Sequence, residues 1–349
     1  MNAKKFIIST LSVLLAGLLL IAGLQIVVDP LFQYHTPWFG MKPVITDERY
    51  QYAGVAKNFD YDNVILGNSF CENFKPSSVE SAFGGRTVKL AISGSTTKDW
   101  SKLLDIISRR AESPEYVISN IDPYSLMAAS ADPVATVPEY LYDNNLLNDT
   151  GYFFNFGTLS IAIDAIRQNI KGTVPDMDTV FLREARGRET VINGRDSLDP
   201  VDEEPSVDDA LYRASGSLEV LLPYIESMTD TDFYFYFTPV SIIYWYKVLQ
   251  ERNADCWRAV FDMVCDKLTR YKNVRLFLWT DDEMLRIISD LDDYVDEAHY
   301  SPEICDMLVL RMKDGIGLIS SGGYREKIDK LFDYTANFDY SFLSADSVS

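Results

Sequence analysis

Hydrophobic positions fall into three regimes along the chain. The first is a near-continuous apolar stretch from Phe6 to Val28, broken only by Ser9, Thr10, Ser12 and Gln25. The second is a set of short solid runs, which read as strands buried on both faces: Asn63–Leu66, Val88–Ile92, Tyr116–Ile121, Phe233–Thr238 and Val274–Trp279. The third is a helical period between those runs. It predicts helices over Ser77–Ala82, Lys98–Arg109, Leu218–Ser227 and Trp245–Tyr271, and a last one over Pro302–Lys313 with proline in its first turn. Alternating strands and helices imply a parallel sheet with right-handed crossovers. The expected fold is therefore α/β: a flavodoxin-like three-layer α/β/α arrangement with a five-stranded parallel sheet, plus an N-terminal transmembrane helix.

The first apolar stretch is long enough to cross a bilayer, which takes about 20 residues. No small-x-small cleavage site follows it, so it reads as an uncleaved anchor over 1–29. Lys4 and Lys5 precede it and Asp29 follows it, which places the N-terminus in the cytoplasm and the rest of the chain outside. A juxtamembrane segment over 30–60 begins with Phe32, Tyr34, His35 and Trp38, which suit an interfacial aromatic belt. The main domain is expected over 61–313. The interval from Pro123 to Asp232 is too long for an ordinary connection, so about 123–211 is read as an insertion above the sheet. A helix at Leu159–Ile170 and an acidic stretch through Asp199–Asp209 fall within it. A tail over 314–349 carries one short helix near Arg325–Phe332.

Charge narrows the partners. A net charge of −20 argues against nucleic acid, whose phosphates require clustered Lys and Arg. The four cysteines form no small disulfide framework and no zinc spacing, and no metal or organic cofactor is expected. Packing is the expected role of Cys71 and Cys305, with a disulfide between them as the alternative.

Candidate chemistry gathers at the predicted strand ends. In Val64-Ile65-Leu66-Gly67-Asn68-Ser69 a strand hands over to a turn at the carboxyl edge, where open α/β sheets form their ligand crevice. A serine there can be a helix cap, or a nucleophile with free N–H groups beside it. A base is needed, and only His35 and His299 exist. His35 belongs to the aromatic belt. His299 follows Asp296 by three residues, a spacing at which the carboxylate can orient the imidazole. Gly94, after the second strand, can present an N–H to an oxyanion or can simply open a helix. Phe237, Pro239, Tyr244, Trp245 and Tyr246 follow the fourth strand and can line a pocket or fill a core.

Gly67-Asn68-Ser69, Ile92-Ser93-Gly94-Ser95 and Asp296-x-x-His299, in this order, resemble the blocks of the SGNH (GDSL-like) hydrolase superfamily. The anchor and the Asp29-Pro30 juncture look more like its membrane-anchored, DltD-like branch, whose members act beside membrane-bound O-acyltransferases. The resemblance implies Ser69 as nucleophile and first oxyanion donor, Gly94 as second donor, His299 as base and Asp296 as its orienter. Two departures stand out. Asn68 replaces the commoner Asp, and the third block reads Asn120-Ile121-Asp122 where the family has Gly-x-Asn-Asp. Asn120 is then the candidate third donor, while an ionised Asp122 would repel an oxyanion. Asn68, Asp122, Tyr244 and Trp245 are the candidate substrate contacts. The implied activity is an extracytoplasmic serine esterase or acyltransferase acting on acyl esters of a cell-envelope glycan or teichoic-acid-like polymer. The alternative is an inactive scaffold of the same fold partnering a membrane O-acyltransferase.

Overall fold

The computed structural model describes residues 3–128, 137–143, 145–193 and 206–343. Five strands form one all-parallel sheet: β1 (Asn63–Gly67), β2 (Thr87–Ala91), β3 (Tyr116–Ile121), β4 (Asp232–Phe237) and β5 (Val274–Phe277). Their spatial order is β2-β1-β3-β4-β5, with helices on both sides. Val64, Ile65, Leu66, Leu90 and Ile118 are almost wholly buried, as strands covered on both faces must be. β1 lies between β2 and β3, so the chain direction across the sheet reverses at the β1/β3 edge. A doubly wound sheet opens its ligand crevice at that place.

Helix packing covers the faces. The Pro76–Phe83 helix packs on Pro302–Lys313, and the Thr97–Ser108, Val207–Glu219 and Ala254–Leu268 helices form another layer. Beyond β5, Leu278 N–H bonds to the Gly317 carbonyl at 3.0 Å and Ile319 N–H to the Leu276 carbonyl at 2.8 Å. This short antiparallel contact covers an otherwise bare sheet edge.

Contacts divide the chain into two compact units, Met1–Asp60 with Thr136–Val180, and Tyr61–Ala135 with Phe181–Ser349. The sheet belongs to the second. In the first, the Ala3–Val28 helix is long and apolar enough to cross a membrane, and its side chains are largely exposed. Its far end is anchored. Val28 packs with Val44, Ala162 and Ala165. Asp29 accepts the backbone N–H groups of Gln33, Tyr34 and His35 at 2.7–2.9 Å and the Tyr152 hydroxyl at 2.5 Å. Gln51 donates to the carbonyls of Pro30 and Val44, both at 2.8 Å. His35 lies flat on Trp38, ring centres 3.7 Å apart, consistent with a structural role.

Three element expectations change. The long helix predicted from Trp245 is two, Ile242–Gln250 and Ala254–Leu268, separated by Arg252 at φ +56°. The Leu218–Ser227 helix is the meeting of Val207–Glu219 and Leu222–Ser227. An unpredicted helix, Asp282–Ser289, precedes the His299 segment. Much of the acidic stretch lies outside the described residues.

Candidate functional site

At the end of β1, Gly67 has no room for a side chain. A Cβ there would lie 2.4 Å from the Asn120 amide oxygen and 2.6 Å from the Cys71 sulfur. The Gly67 carbonyl accepts Ile92 N–H at 2.9 Å and the Ser95 hydroxyl at 3.1 Å, so the β2 loop is tied to the nucleophile turn. Trp100 Nε1 holds that same hydroxyl at 2.8 Å. Asn68 follows, and it is the cap: its Oδ1 accepts Phe70 N–H at 3.0 Å while its Nδ2 donates to Ser125 Oγ at 2.8 Å. Ser69 is thereby relieved of capping. It opens a short 3-10 turn, Ser69–Cys71, half-buried, with its hydroxyl turned to His299.

The base rests in a folded loop. Tyr294 and Tyr300 bridge antiparallel, with Val295 N–H on the His299 carbonyl at 2.8 Å. Inside the loop Asp296 Oδ1 accepts the N–H groups of Ala298 at 2.9 Å and His299 at 2.8 Å. Both Asp296 oxygens lie 2.8 Å from His299 Nδ1, and His299 Nε2 lies 2.7 Å from Ser69 Oγ. A carboxylate only accepts, so Nδ1 carries the ring proton and Nε2 accepts from the serine. Burial pushes Asp296 upward, but the His299 ring bond and charge and the two backbone N–H groups outweigh it, leaving the carboxyl at about 2. Beyond the base, Ser241 Oγ donates to the Glu297 carbonyl at 2.5 Å; at the loop's outer end Tyr294 Oη donates to the Pro239 carbonyl at 2.7 Å, away from Asp296 and His299.

Gly94 sits exposed at the tip of a turn, at φ +62°, a conformation that suits glycine. Ser95 N–H closes that turn on the Ile92 carbonyl at 3.0 Å. The third block differs from expectation. Asn120 is fully buried; its Oδ1 accepts Asn68 N–H and the Cys71 thiol, each at 3.3 Å, and its Nδ2 donates to Asp122 at 3.1 Å. Its Oδ1 thus holds the nucleophile turn, one of its N–H groups is taken by Asp122, and the side chain is closed off from solvent. Asp122 is 2% exposed and accepts Ser125 N–H at 2.8 Å. Burial pushes its carboxyl up despite the bonds from Ser125 and Asn120. Ionisation, and with it repulsion of an oxyanion, is disfavoured accordingly.

One further expectation is corrected, and the packing role expected of Cys71 and Cys305 is met. Trp245 does not line a pocket: it is 3% exposed, edge-on to Trp257 and Phe332 in the core. Tyr244 is half-buried beside Trp257, and burial followed by the charge of Asp122 pushes its hydroxyl well up. The four cysteines are free and buried, so Cys71 and Cys305 form no disulfide. Burial pushes the Cys71 thiol up to about 12, which removes it as a rival nucleophile at neutral pH. Sequence reasoning missed Ser95, Ser125 and Ser241, whose hydroxyls bond to Gly67, Asn68 and Glu297 around the site. Only tertiary contacts distinguish them from other polar residues in loops and strands.

No protein-family model matches the chain, and no curated protein matches it. Among solved structures, one described provisionally as a platelet activating factor from Streptococcus pneumonia superposes with a TM-score of 0.39 at 12% identity. The superposition covers 76% of this chain and 88% of that one, a likeness too weak to carry a functional argument.

Proposed function

We propose that this protein is an SGNH-type serine esterase or acyltransferase, held at the membrane by its N-terminal helix and acting outside the cytoplasm on acyl esters of a cell-envelope polymer. One observation carries the chemistry: Ser69 Oγ, His299 and Asp296 form a continuous hydrogen-bonded line, 2.7 Å at the serine and 2.8 Å at the carboxylate. Residues 230 positions apart in sequence do not meet in this order through capping or solubility needs.

In the proposed reaction His299 Nε2 takes the Ser69 proton as Oγ attacks the ester carbonyl. The oxyanion is held by the N–H groups of Ser69 and Gly94. Collapse breaks the ester C–O bond, and the imidazolium returns its proton to the departing alcohol. The acyl-serine then passes to water, giving hydrolysis, or to a polymer hydroxyl, giving transfer, with His299 again the base. A hole of two backbone donors, without the Asn120 amide, is expected to be slow on simple esters. Loss of one donor costs about 10²–10³ in rate.

Fluorophosphonate labelling of the full-length protein in detergent tests this. Wild type is expected to label, with labelling abolished in Ser69→Ala and His299→Ala. A folded wild type that does not label would replace the enzyme reading with the scaffold one, and crosslinking to a membrane O-acyltransferase would be sought.

A further inference from the structure

Two buried hydroxyls lie directly behind the nucleophile turn. Tyr300, the residue after the base, is 2% exposed and donates through Oη to the carbonyl of Phe70, the residue after the nucleophile, at 3.0 Å. Its Oη also lies 3.0 Å from that of Tyr236, which is fully buried on β4, reaches the Cys71 sulfur at 3.3 Å and makes a longer contact, 3.5 Å, to the same Phe70 carbonyl. The Tyr300 backbone carbonyl accepts Asn73 Nδ2 at 2.7 Å. Phenylalanine would fill this core equally well, and a buried hydroxyl is unfavourable unless it is bonded. These hydroxyls are bonded, and the bonds join the two catalytic segments rather than neighbours within one.

We propose, building on the reading of Ser69 and His299 as nucleophile and base, that Tyr300 is a positioning residue whose hydroxyl, bonded to the Phe70 carbonyl, sets the separation of Ser69 Oγ and His299 Nε2. The lever is short. Phe70 and Tyr300 each stand one residue beyond a reacting side chain, so a change in the distance between them passes directly to the pair. Asn73 clamps the other end of Tyr300, and Phe70's ring lies 6.3 Å from and nearly parallel to that of Tyr300. Burial holds the Tyr300 hydroxyl well above its usual titration range, so it remains a donor at any working pH.

Tyr294 supplies the control. It lies in the same loop, is fully buried, and donates its hydroxyl at 2.7 Å to the Pro239 carbonyl, with no bond to the nucleophile turn. The rate of fluorophosphonate labelling, and kcat and KM for p-nitrophenyl acetate, are measured on full-length wild type, Tyr300→Phe, Tyr294→Phe and Tyr236→Phe. Misplacement by an ångström costs about 10²-fold, so a partial shift in Tyr300→Phe is expected to lower labelling and kcat about tenfold with KM unchanged. Tyr294→Phe is expected to lower the melting temperature comparably but to label at the wild-type rate. Tyr236→Phe, which removes only the longer 3.5 Å contact to the Phe70 carbonyl and keeps the 3.0 Å Tyr300 bond, is expected to label far closer to the wild-type rate than Tyr300→Phe does. Wild-type labelling in Tyr300→Phe, or equal slowing in Tyr294→Phe, overturns the proposal. If Tyr300→Phe does not fold, tenfold slowing in a folded Tyr236→Phe overturns it. A wild type that never labels refutes the nucleophile itself, a separate result.

Discussion

At Asp296 one carboxylate performs two tasks, closing a turn through the N–H groups of Ala298 and His299 and orienting the imidazole. Its folded value of about 2 lies below the ordinary 3.8, so its bonds stabilise the ionised form. That contribution is complete above pH about 4 and is lost as pH falls toward 2, because the unfolded carboxyl takes up its proton first. The melting temperature of wild type is expected to exceed that of Asp296→Asn at pH 6, with the gap closing by pH 2. Denaturation scans across that range decide it. The amide can also hold the wrong ring tautomer, so Asp296→Asn is expected to lower kcat by up to about 10⁴. Asn68, immediately before Ser69, shows how a single residue changes the meaning of the next. Because it caps the turn, Ser69's hydroxyl is left for His299.

Strands and helices differ in how far the chain advertises their ends. The five strands were legible because burial on both faces demands unbroken apolar runs. The break within the helical region after β4 was not, since Glu251-Arg252-Asn253 carries neither glycine nor proline. Arg252 nonetheless takes a left-handed conformation, φ +56°, with its N–H on the Leu249 carbonyl at 3.2 Å and Asn253 N–H on that of Val248 at 2.9 Å. This closing motif normally uses glycine at the left-handed position. Relief of about 1–2 kcal/mol of backbone strain, less the added chain entropy of glycine, predicts that Arg252→Gly stabilises by roughly 0.5–1 kcal/mol. Urea titration measures this, and a loss of stability would show that the arginine side chain outweighs the strain.

For the whole molecule, the N-terminal helix, long and apolar enough to cross a membrane, carries a prediction about where it works. Lys4 and Lys5 precede the Ala3–Val28 helix core and Asp29 follows it, the asymmetry of a helix with its start in the cytoplasm. Alkaline phosphatase fused after Ser349 is therefore expected to be active in intact bacterial cells, and green fluorescent protein at the same point dark. The reverse pattern would put the Ser69 turn in the cytoplasm and end the envelope reading.

By itself the sequence determined the strands, the doubly wound class, the long apolar N-terminal helix and the candidates Ser69, Asp296 and His299, because periodicity, span length and local spacing are properties of a linear chain. Only the tertiary structure decided that Asn120 faces inward to Asn68 and Asp122, that Trp245 lies in the core, and that Tyr300 reaches Phe70. The direction of a side chain at a strand end depends on what packs beside it. Those neighbours come from segments up to 230 residues away, and no local pattern encodes that meeting.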